Sequence, residues 1–150
     1  MFVAVSHRTW NFPRSVFRRV ASGDHPTHFT LAAVEQRSGR IVGYAHCALE
    51  DEAGHPELYI AHLKVGRDHQ GHGLGAGLID AAEQWAKQRR AWTFRKTSLT
   101  VLKNNLKAKQ CYAKSRFRVV RESKASFPAK EHRKPEHWIP EWQTMVRTIG

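Results

Sequence analysis

The chain has 150 residues, of which 41% are hydrophobic and 10% aromatic, so it suits one globular domain and is not a disordered chain. No apolar run reaches the length of a membrane span and the N-terminal stretch lacks the core of a signal peptide, so we expect a cytoplasmic protein without membrane contact. The two cysteines, Cys47 and Cys111, lack CxxC spacing, which argues against a disulfide framework and a thiolate metal site.

The formal net charge of +12 is distributed unevenly along the chain. Residues 64–134 hold 18 of the 25 Lys and Arg residues but only five of the 13 acids, so that segment carries +13 and the remainder −1. A positive field of this size attracts polyanions, such as nucleic acid, a ribosome surface, an acidic protein or a phosphorylated ligand. A solvated basic face without a partner is the alternative.

Hydrophobic periodicity predicts the first elements in chain order. Residues 12–23 suit a short helix. Residues 29–49 contain two β-compatible runs around a turn in which Gly39 is available for a positive φ, so they predict a hairpin. Residues 57–65 follow as a central strand, because apolar residues occur on both of its faces. Regular alternation there places Leu58, Ile60, His62 and Lys64 on one face and Tyr59, Ala61, Leu63 and Val65 on the other.

The second half of the chain reads as alternating helices and strands. Residues 74–90 have helical period and end in basic residues, as the helix dipole favours. The later elements are a strand at 96–102, a helix at 104–114 capped by Asn104 or Asn105, a strand at 117–122, a proline-containing loop at 123–140 and a strand at 142–149. This order predicts a single α/β or α+β domain.

The stretch HQGHGLGAGL (69–78) concentrates glycine between a strand and a helix, with Gly71, Gly73, Gly75 and Gly77 at alternate positions. The first turn of a helix leaves backbone N–H groups unpaired, and glycines let the backbone approach a ligand closely. The loop therefore predicts a site for a phosphate-bearing cofactor, with Gly77 better suited to close packing of the helix.

Two well-known phosphate-binding patterns fit this loop poorly. A P-loop is excluded, because none of the glycines is followed by lysine. Gly71, Gly73 and Ala76 satisfy the dinucleotide fingerprint G-x-G-x-x-[GA] as written. That fold also needs an acidic residue about twenty positions further on, and the chain has none between Glu83 and Glu122.

A third pattern, Q-x-x-G-x-G, is formed by Gln70, Gly73 and Gly75, and it resembles the acetyl-CoA loop of the GNAT superfamily of N-acyltransferases, [RQ]-x-x-G-x-[GA]. The stretch LTVLKNNLKAKQCYAKSRF (99–117) also resembles the later motif of that family. The positions in register there are Val101, Asn105, Ala108, Tyr112 and Phe117. The resemblance covers residues 29–122, while residues 1–28 form a short or atypical N-terminal part.

The resemblance implies a single GNAT-like domain over residues 1–150, with a mixed, mostly antiparallel central sheet that is splayed at the cofactor site and flanked by helices. It implies an enzyme, an acetyl-CoA-dependent N-acetyltransferase that acts by direct attack in a ternary complex and is a monomer or homodimer. The acceptor is a primary amine of a protein, at a lysine or the N-terminus, or of a small molecule. The rival interpretation is a catalytically silent module that keeps the fold and binds nucleic acid or an acidic partner through its basic face.

The resemblance also assigns roles to residues. Tyr112 matches the general acid, with a core tyrosine as the alternative. The general base is left open between Glu57, which matches the glutamate of some protein-lysine-acetylating members, His62, and a water chain that needs neither. His69 and His72 lack a third ligand, so no metal is expected. The cofactor-binding positions are Leu63, Lys64, Val65, Gln70, Gly71, His72, Gly73, Leu74, Gly75 and Asn105.

The sequence also leads to expectations about the environment of two further residues within the later motif, Arg116 and Cys111. Arg116 stands where the family usually has Gly, immediately before Phe117, which leaves the geometry of that turn in question. Cys111 is expected to be a small core residue beside Ala108 and Tyr112, because these three share one face of the predicted helix.

Overall fold

The computed structural model of the chain describes residues 2–3, 27–35, 38–89, 93–124 and 141–149. Neither helix in these ranges has the length and apolar character that a membrane crossing requires. The predicted helix at 12–23, and residues 125–140 of the predicted loop, lie outside the described residues. The elements are β1 (Phe2–Val3), β2 (His28–Val34), β3 (Ile41–Glu52), β4 (His55–Val65), a 3-10 turn (Arg67–His69), α1 (Leu74–Lys87), β5 (Lys96–Leu102), α2 (Leu106–Lys114), β6 (Arg118–Lys124) and β7 (Glu141–Thr148).

The described strands form one seven-stranded sheet in the order β1-β2-β3-β4-β5-β7-β6. Every neighbouring pair is antiparallel except β4 and β5, which run parallel because α1 connects them as a crossover. This is the mixed, mostly antiparallel α+β architecture that the sequence predicted.

Within the described ranges, the predicted helices and strands are present with small shifts at their ends. Helix α1 ends at Lys87, three residues earlier than predicted. Helix α2 begins at Leu106, and Asn105 is its N-cap, because the Asn105 side-chain oxygen accepts a hydrogen bond of 3.2 Å from the Ala108 amide. Strand β6 continues through Lys124, so the first two residues of the predicted loop belong to the sheet.

Strands β3 and β4 are joined by a tight turn that the sequence analysis did not identify. Ala53 and Gly54 both have positive φ, 55° and 78°, as a two-residue type I′ hairpin requires. Alanine is uncommon in that conformation, so the Ala-Gly pair gave a weak signal. The hairpin places Glu50 directly opposite Glu57.

The core lies between α1 and one face of the sheet, which we call the helix face; the opposite side is the far face. The aromatic rings of Phe29 on β2 and Trp85 on α1 stack with centroids 4.1 Å apart. Leu78 and Ile79 are fully buried on α1. The sheet contributes Leu31, Ala33, Ala45, Cys47, Leu58, Ile60, Leu99, Val101 and Met145 to the same cluster.

A β-bulge at Ala61 changes the phase of β4. Neighbouring residues of β3, His46 and Cys47, pair with His62 and Ile60, so Ala61 has no partner on β3. The regular alternation predicted from the sequence is therefore wrong beyond this point. Leu63 and Val65 pack against the core with the residues that precede the bulge, while His62 lies on the far face across from His46.

The sheet opens immediately after this bulge. Strand β4 pairs with β5 only from Leu58 to Ile60, and the pairing stops at Ile60 and Leu99. The remaining parts of the two strands, residues 61–65 and 100–102, leave a gap between them, which we call the V cleft. The predicted splay of the central sheet is therefore present, and its apex lies at the bulge.

An ion-pair cluster, buried at Arg147 and Glu83 and exposed at Asp80, joins the two described helices to β7. The Arg147 guanidinium donates to Glu83 Oε1 at 3.0 and 2.6 Å and to Asp80 Oδ1 at 3.0 Å, all on α1. It also donates to the Ser115 carbonyl, at the end of α2, at 3.1 Å. The Thr97 hydroxyl on β5 donates to Glu83 Oε1 at 2.7 Å, so this carboxylate has a partner on two neighbouring strands.

Candidate functional site

The loop between β4 and α1 presents a run of backbone N–H groups without partners. Gly71 and Gly73 have positive φ, 83° and 78°, and Gly73 is the N-cap of α1 without a side-chain cap. Within the described residues, no N–H group from Gly71 to Ala76 donates a hydrogen bond, and the first that does is Gly77, to the Gly73 carbonyl at 3.0 Å. Together with the helix dipole, these groups make the loop a candidate anion-binding site.

The glycines of this loop are not equivalent. A Cβ on Gly73 would meet no atom within 4 Å, but its positive φ disfavours any other residue. A Cβ on Gly75 would lie 3.9 Å from the Leu63 and Val65 side chains, an ordinary contact. The structure thus gives a physical reason for the pattern G-x-[GA], because the first position needs glycine and the second also accepts alanine.

The Gln70 side chain holds the loop between β4 and α2. Its amide nitrogen donates to the Val65 carbonyl at 3.1 Å, and its oxygen accepts from the Lys107 ammonium at 3.4 Å. The N-terminal turn of α2 therefore lies beside the glycine loop. The two regions that the sequence assigned to one cofactor site, around Gln70 and around Asn105, are brought together.

The β4 edge of the V cleft carries main-chain groups that β5 does not pair. The Gly66 amide donates to Val42 of β3 at 2.7 Å, so by the alternation of a strand the Lys64 amide also points to β3. The amides of Leu63 and Val65 then point into the V cleft. Of the three predicted positions on this strand, Leu63 and Val65 offer the main-chain groups that an extended ligand can pair with.

Tyr112 lies on α2 and packs half-buried against the core. Its ring meets Phe117 edge to face at 6.1 Å, and its hydroxyl bonds to no described residue. Burial raises the pKa of the phenol above its usual value, and the neighbouring Cys111 thiol adds to the shift. The phenol therefore stays protonated at neutral pH. The expectation of a buried Cys111 is wrong, because α2 turns that side chain to solvent.

The two candidates for the general base lie on β4 but at different distances from the V cleft. Glu57 is half-buried and precedes the paired stretch of β4 and β5, opposite Glu50. His62 is exposed, follows the bulge, and its ring lies 6.3 Å from that of His46 on the far face. Since His62 is five positions after Glu57, the two residues are roughly 15 Å apart along the strand.

The sequence analysis assigned no functional role to four residues on the strands around the V cleft, which are Tyr59, Thr100, His46 and Thr30. The Tyr59 hydroxyl donates to Thr100 Oγ1 at 3.4 Å and so links β4 to β5 one residue beyond their last backbone pair. His46 is buried behind His62 and bonds through Nδ1 to the Thr30 hydroxyl at 2.9 Å. These contacts depend on the register of the four strands β2 to β5, which no local sequence signal specifies.

The two loop histidines have separate environments. His69 Nε2 lies 3.3 Å from Glu35 Oε2, which ties the loop to the end of β2, whereas His72 is exposed. The Ser38 hydroxyl and His69 lower the pKa of Glu35. Among the described residues, no three acidic, histidine or cysteine side chains are grouped to hold a metal ion.

A parallel pair of strands that opens into a cleft, with a glycine loop at a helix N terminus between them, is the arrangement that the resemblance to acyl-CoA-dependent acyltransferases implied. Residues 4–117 match the model of the acetyltransferase (GNAT) family, so the chain belongs to this family. Acetyl-CoA is the co-substrate that enzymes of this family use, as the resemblance implied. No protein of curated function matches the chain in sequence.

Solved structures of several acetyltransferases share the fold. Arabidopsis thaliana NAA60 in complex with acetyl-CoA is 17% identical, with a TM-score of 0.74 over 99% of this chain and 98% of that one. Arabidopsis thaliana Naa50 with the bisubstrate analogue CoA-Ac-MVNAL is 20% identical, with a TM-score of 0.64 over 93% and 83%. An IAA acetyltransferase from Bacillus cereus is 15% identical, with a TM-score of 0.69 over 99% of each chain.

Proposed function

We propose that the protein transfers the acetyl group of acetyl-CoA to a primary amine by direct attack within a ternary complex. The observation that carries this proposal is the V cleft, whose unpaired strand edge opens beside the unpartnered amides of the α1 N terminus. The residues fit acetyl-CoA, because the amides at the α1 N terminus suit a pyrophosphate and the open edge of β4 suits an extended arm that contains amides. When bound, acetyl-CoA supplies the thioester that the amine attacks.

The cofactor-binding residues divide between these two surfaces. The amides from Gly71 to Ala76 bind the pyrophosphate, and Gln70 keeps the loop closed against α2. The main-chain groups of Leu63 and the amide of Val65 pair with the pantetheine arm, while the Val65 carbonyl is held by Gln70. The Leu63 amide, close to the apex of the V cleft, faces the thioester carbonyl and stabilises the negative charge that develops on its oxygen.

Tyr112 is the proposed general acid. Its half-buried phenol holds its proton at neutral pH, and it lies on the helix that begins next to β5 at the V cleft. The proton passes from the phenol oxygen to the departing sulfur, which makes the thiol a better leaving group. A core tyrosine would keep the same packing against Phe117, so only a kinetic measurement separates the two roles.

His62 is the proposed general base. It follows the bulge on the side of the sheet that α1 does not cover, so an amine that enters from the far face meets it beside the thioester. Glu57 is the second candidate and lies before the paired stretch, on the opposite side of the apex. A base has to be within hydrogen-bond reach of the amine or of one bridging water. This requirement favours His62, because it lies nearer to the V cleft than Glu57.

The proposed acceptor is the primary amine of a peptide or a small molecule. Naa50, with its peptide-bearing analogue, and nourseothricin acetyltransferase, named for a small compound, are both built on this fold. The far face around His62 combines polar and aromatic side chains that suit either kind of amine. A panel of acceptors is therefore the direct way to define the substrate.

The test has two readouts, thermal stabilisation by acetyl-CoA and release of free thiol with peptides, polyamines and aminoglycosides. We expect stabilisation by acetyl-CoA, much less by adenosine, and thiol release with one class of amine. His62→Gln should abolish most of that release, whereas His55→Gln, an exposed change at the β3–β4 turn, should not. Stabilisation without thiol release from any amine would instead support the catalytically silent module.

A further inference from the structure

Strand β6 forms an exposed edge of the described sheet. It pairs only with β7, and all seven of its residues are exposed, including Val119 at 43% and Val120 at 50%. The outer side of such a strand carries free N–H and C=O groups, which are a template for pairing with another extended chain. Edge strands are usually shielded or short, whereas β6 is exposed over seven residues. The side chains of β6 therefore indicate which kind of chain can pair with it.

A bulge at Val120 brings two arginines to the same side of β6. Val119 pairs with Met145, and Arg121 pairs with the adjacent residue of β7, Thr144. Without the bulge, Arg118 and Arg121 would point to opposite faces because they are three residues apart. With it, both lie on the far face, opposite alternate residues of β7.

The two arginines are free to bind an anionic partner. Neither Arg118 nor Arg121 forms an ion pair with a described residue. From Lys103 to Lys124 the sequence contains eight Lys and Arg residues and a single acid, Glu122. Glu122 is already occupied, because it accepts from Gln143 at 2.7 Å and lies 3.6 Å from the Lys103 ammonium.

The charge on this edge discriminates between possible occupants. A second copy that paired β6 with β6 around a two-fold axis would set arginines against arginines, and like charges on opposed strands destabilise the pair. Single-stranded nucleic acid needs aromatic side chains for base stacking, and β6 has none. An extended acidic polypeptide satisfies the free backbone groups and both arginines together.

We propose that the β6 edge binds an extended acidic polypeptide that joins the sheet as an additional strand. Its acidic side chains occupy alternate positions and face Arg118 and Arg121, and the residue between them is apolar and contacts Val119 on the helix face. The V cleft lies on the other side of β5, so this surface is separate from the proposed acetyl-transfer site and does not depend on it.

The test measures fluorescence anisotropy of a labelled acidic peptide of sequence SEVEVES added to the full chain. We expect saturable binding that weakens about tenfold in the double variant Arg118→Glu/Arg121→Glu, because two attractive charge pairs become repulsive. The double variant Lys87→Glu/Lys96→Glu makes the same change in net charge on exposed residues elsewhere and should bind the peptide as the unmodified protein does.

Two control peptides separate strand addition from general attraction. A peptide with lysine in place of each glutamate should not bind, and a peptide N-methylated at alternate residues should bind much more weakly, because it cannot complete the ladder. Equal binding of the N-methylated peptide would overturn the added strand. Three results would overturn the acidic peptide as the occupant. The first is an equal loss of peptide affinity in both double variants, and the second is tighter binding of an RNA oligonucleotide than of the peptide. The third is a dimer of the protein that Arg118→Glu/Arg121→Glu abolishes.

Discussion

Arg116 occupies a backbone conformation in which an L-amino acid is strained, with φ of 68°. It follows the C-cap of α2, where the Phe117 amide donates to the Tyr112 carbonyl and the Arg116 amide to the Ala113 carbonyl, both at 3.0 Å. This is the Schellman arrangement, whose left-handed position is usually glycine. The turn expected from the family is therefore preserved, with arginine accepting the strain.

Arg116→Gly should stabilise the protein by about 1 kcal/mol, because relief of the left-handed strain exceeds the added flexibility of the unfolded chain. Urea denaturation followed by circular dichroism measures the change. The matched control is Lys114→Gly, which places glycine inside the last turn of α2 and should destabilise by about 1 kcal/mol. If both variants lose stability alike, the strain at Arg116 is not significant.

Tyr112 links burial to a pH dependence of catalysis. Because burial raises the pKa of the phenol, the acid stays protonated until the pH exceeds the usual tyrosine value, and kcat should fall only above about pH 10. Tyr112→Phe should lower kcat about 100-fold, remove that alkaline decline and leave the Kd for acetyl-CoA unchanged. An unchanged kcat would assign Tyr112 to the core alone.

At the scale of elements, Arg147 is the residue through which the two helices of the site are fixed to each other. It joins Glu83 and Asp80 of α1 to the end of α2, and its side chain is only 7% exposed. The glycine loop leads into α1, and Tyr112 lies on α2, so this cluster sets the distance between the anion site and the proposed acid. None of the cluster was identified from the sequence, because its members are distant along the chain.

Arg147→Ala should destabilise the protein by about 3–5 kcal/mol, since it leaves the Glu83 carboxylate buried without its charged partner. The double variant Glu83→Leu/Arg147→Met removes both charges and should recover most of that loss in urea denaturation. Arg95→Ala, at an exposed position before β5, is the control for loss of an arginine and should change stability by less than about 0.5 kcal/mol. Equal losses in the single and double variants would show that packing, not charge, dominates.

At the scale of the whole molecule, features that depend on neighbouring residues were predictable and features that depend on register were not. Gly71 and Gly73 predicted the loop, and the motif around Asn105 and Tyr112 indicated the family. Both signals could be recognised because the residues that form each of them are close together in the sequence. The bulge at Ala61 could not be predicted, since the surrounding residues alternate regularly in sequence. The pairing of β4 with β3 and β5 alone reveals which residue is the extra one.

Ala61 is an extra residue in β4 that has no pairing partner on β3. If it were deleted, Ile60 and His62 would become neighbours, still opposite Cys47 and His46, and every later side chain would keep its face. We therefore expect the deletion variant to fold with equal or greater stability in urea. Strand β4 should then be straight and pair with β5 along its whole length, which closes the V cleft. Acetyl-CoA should no longer stabilise this variant in a thermal-shift assay. A variant that is stable and still binds acetyl-CoA would contradict this. On this view a single unpaired residue keeps the V cleft open for the co-substrate, at the expense of a more regular sheet.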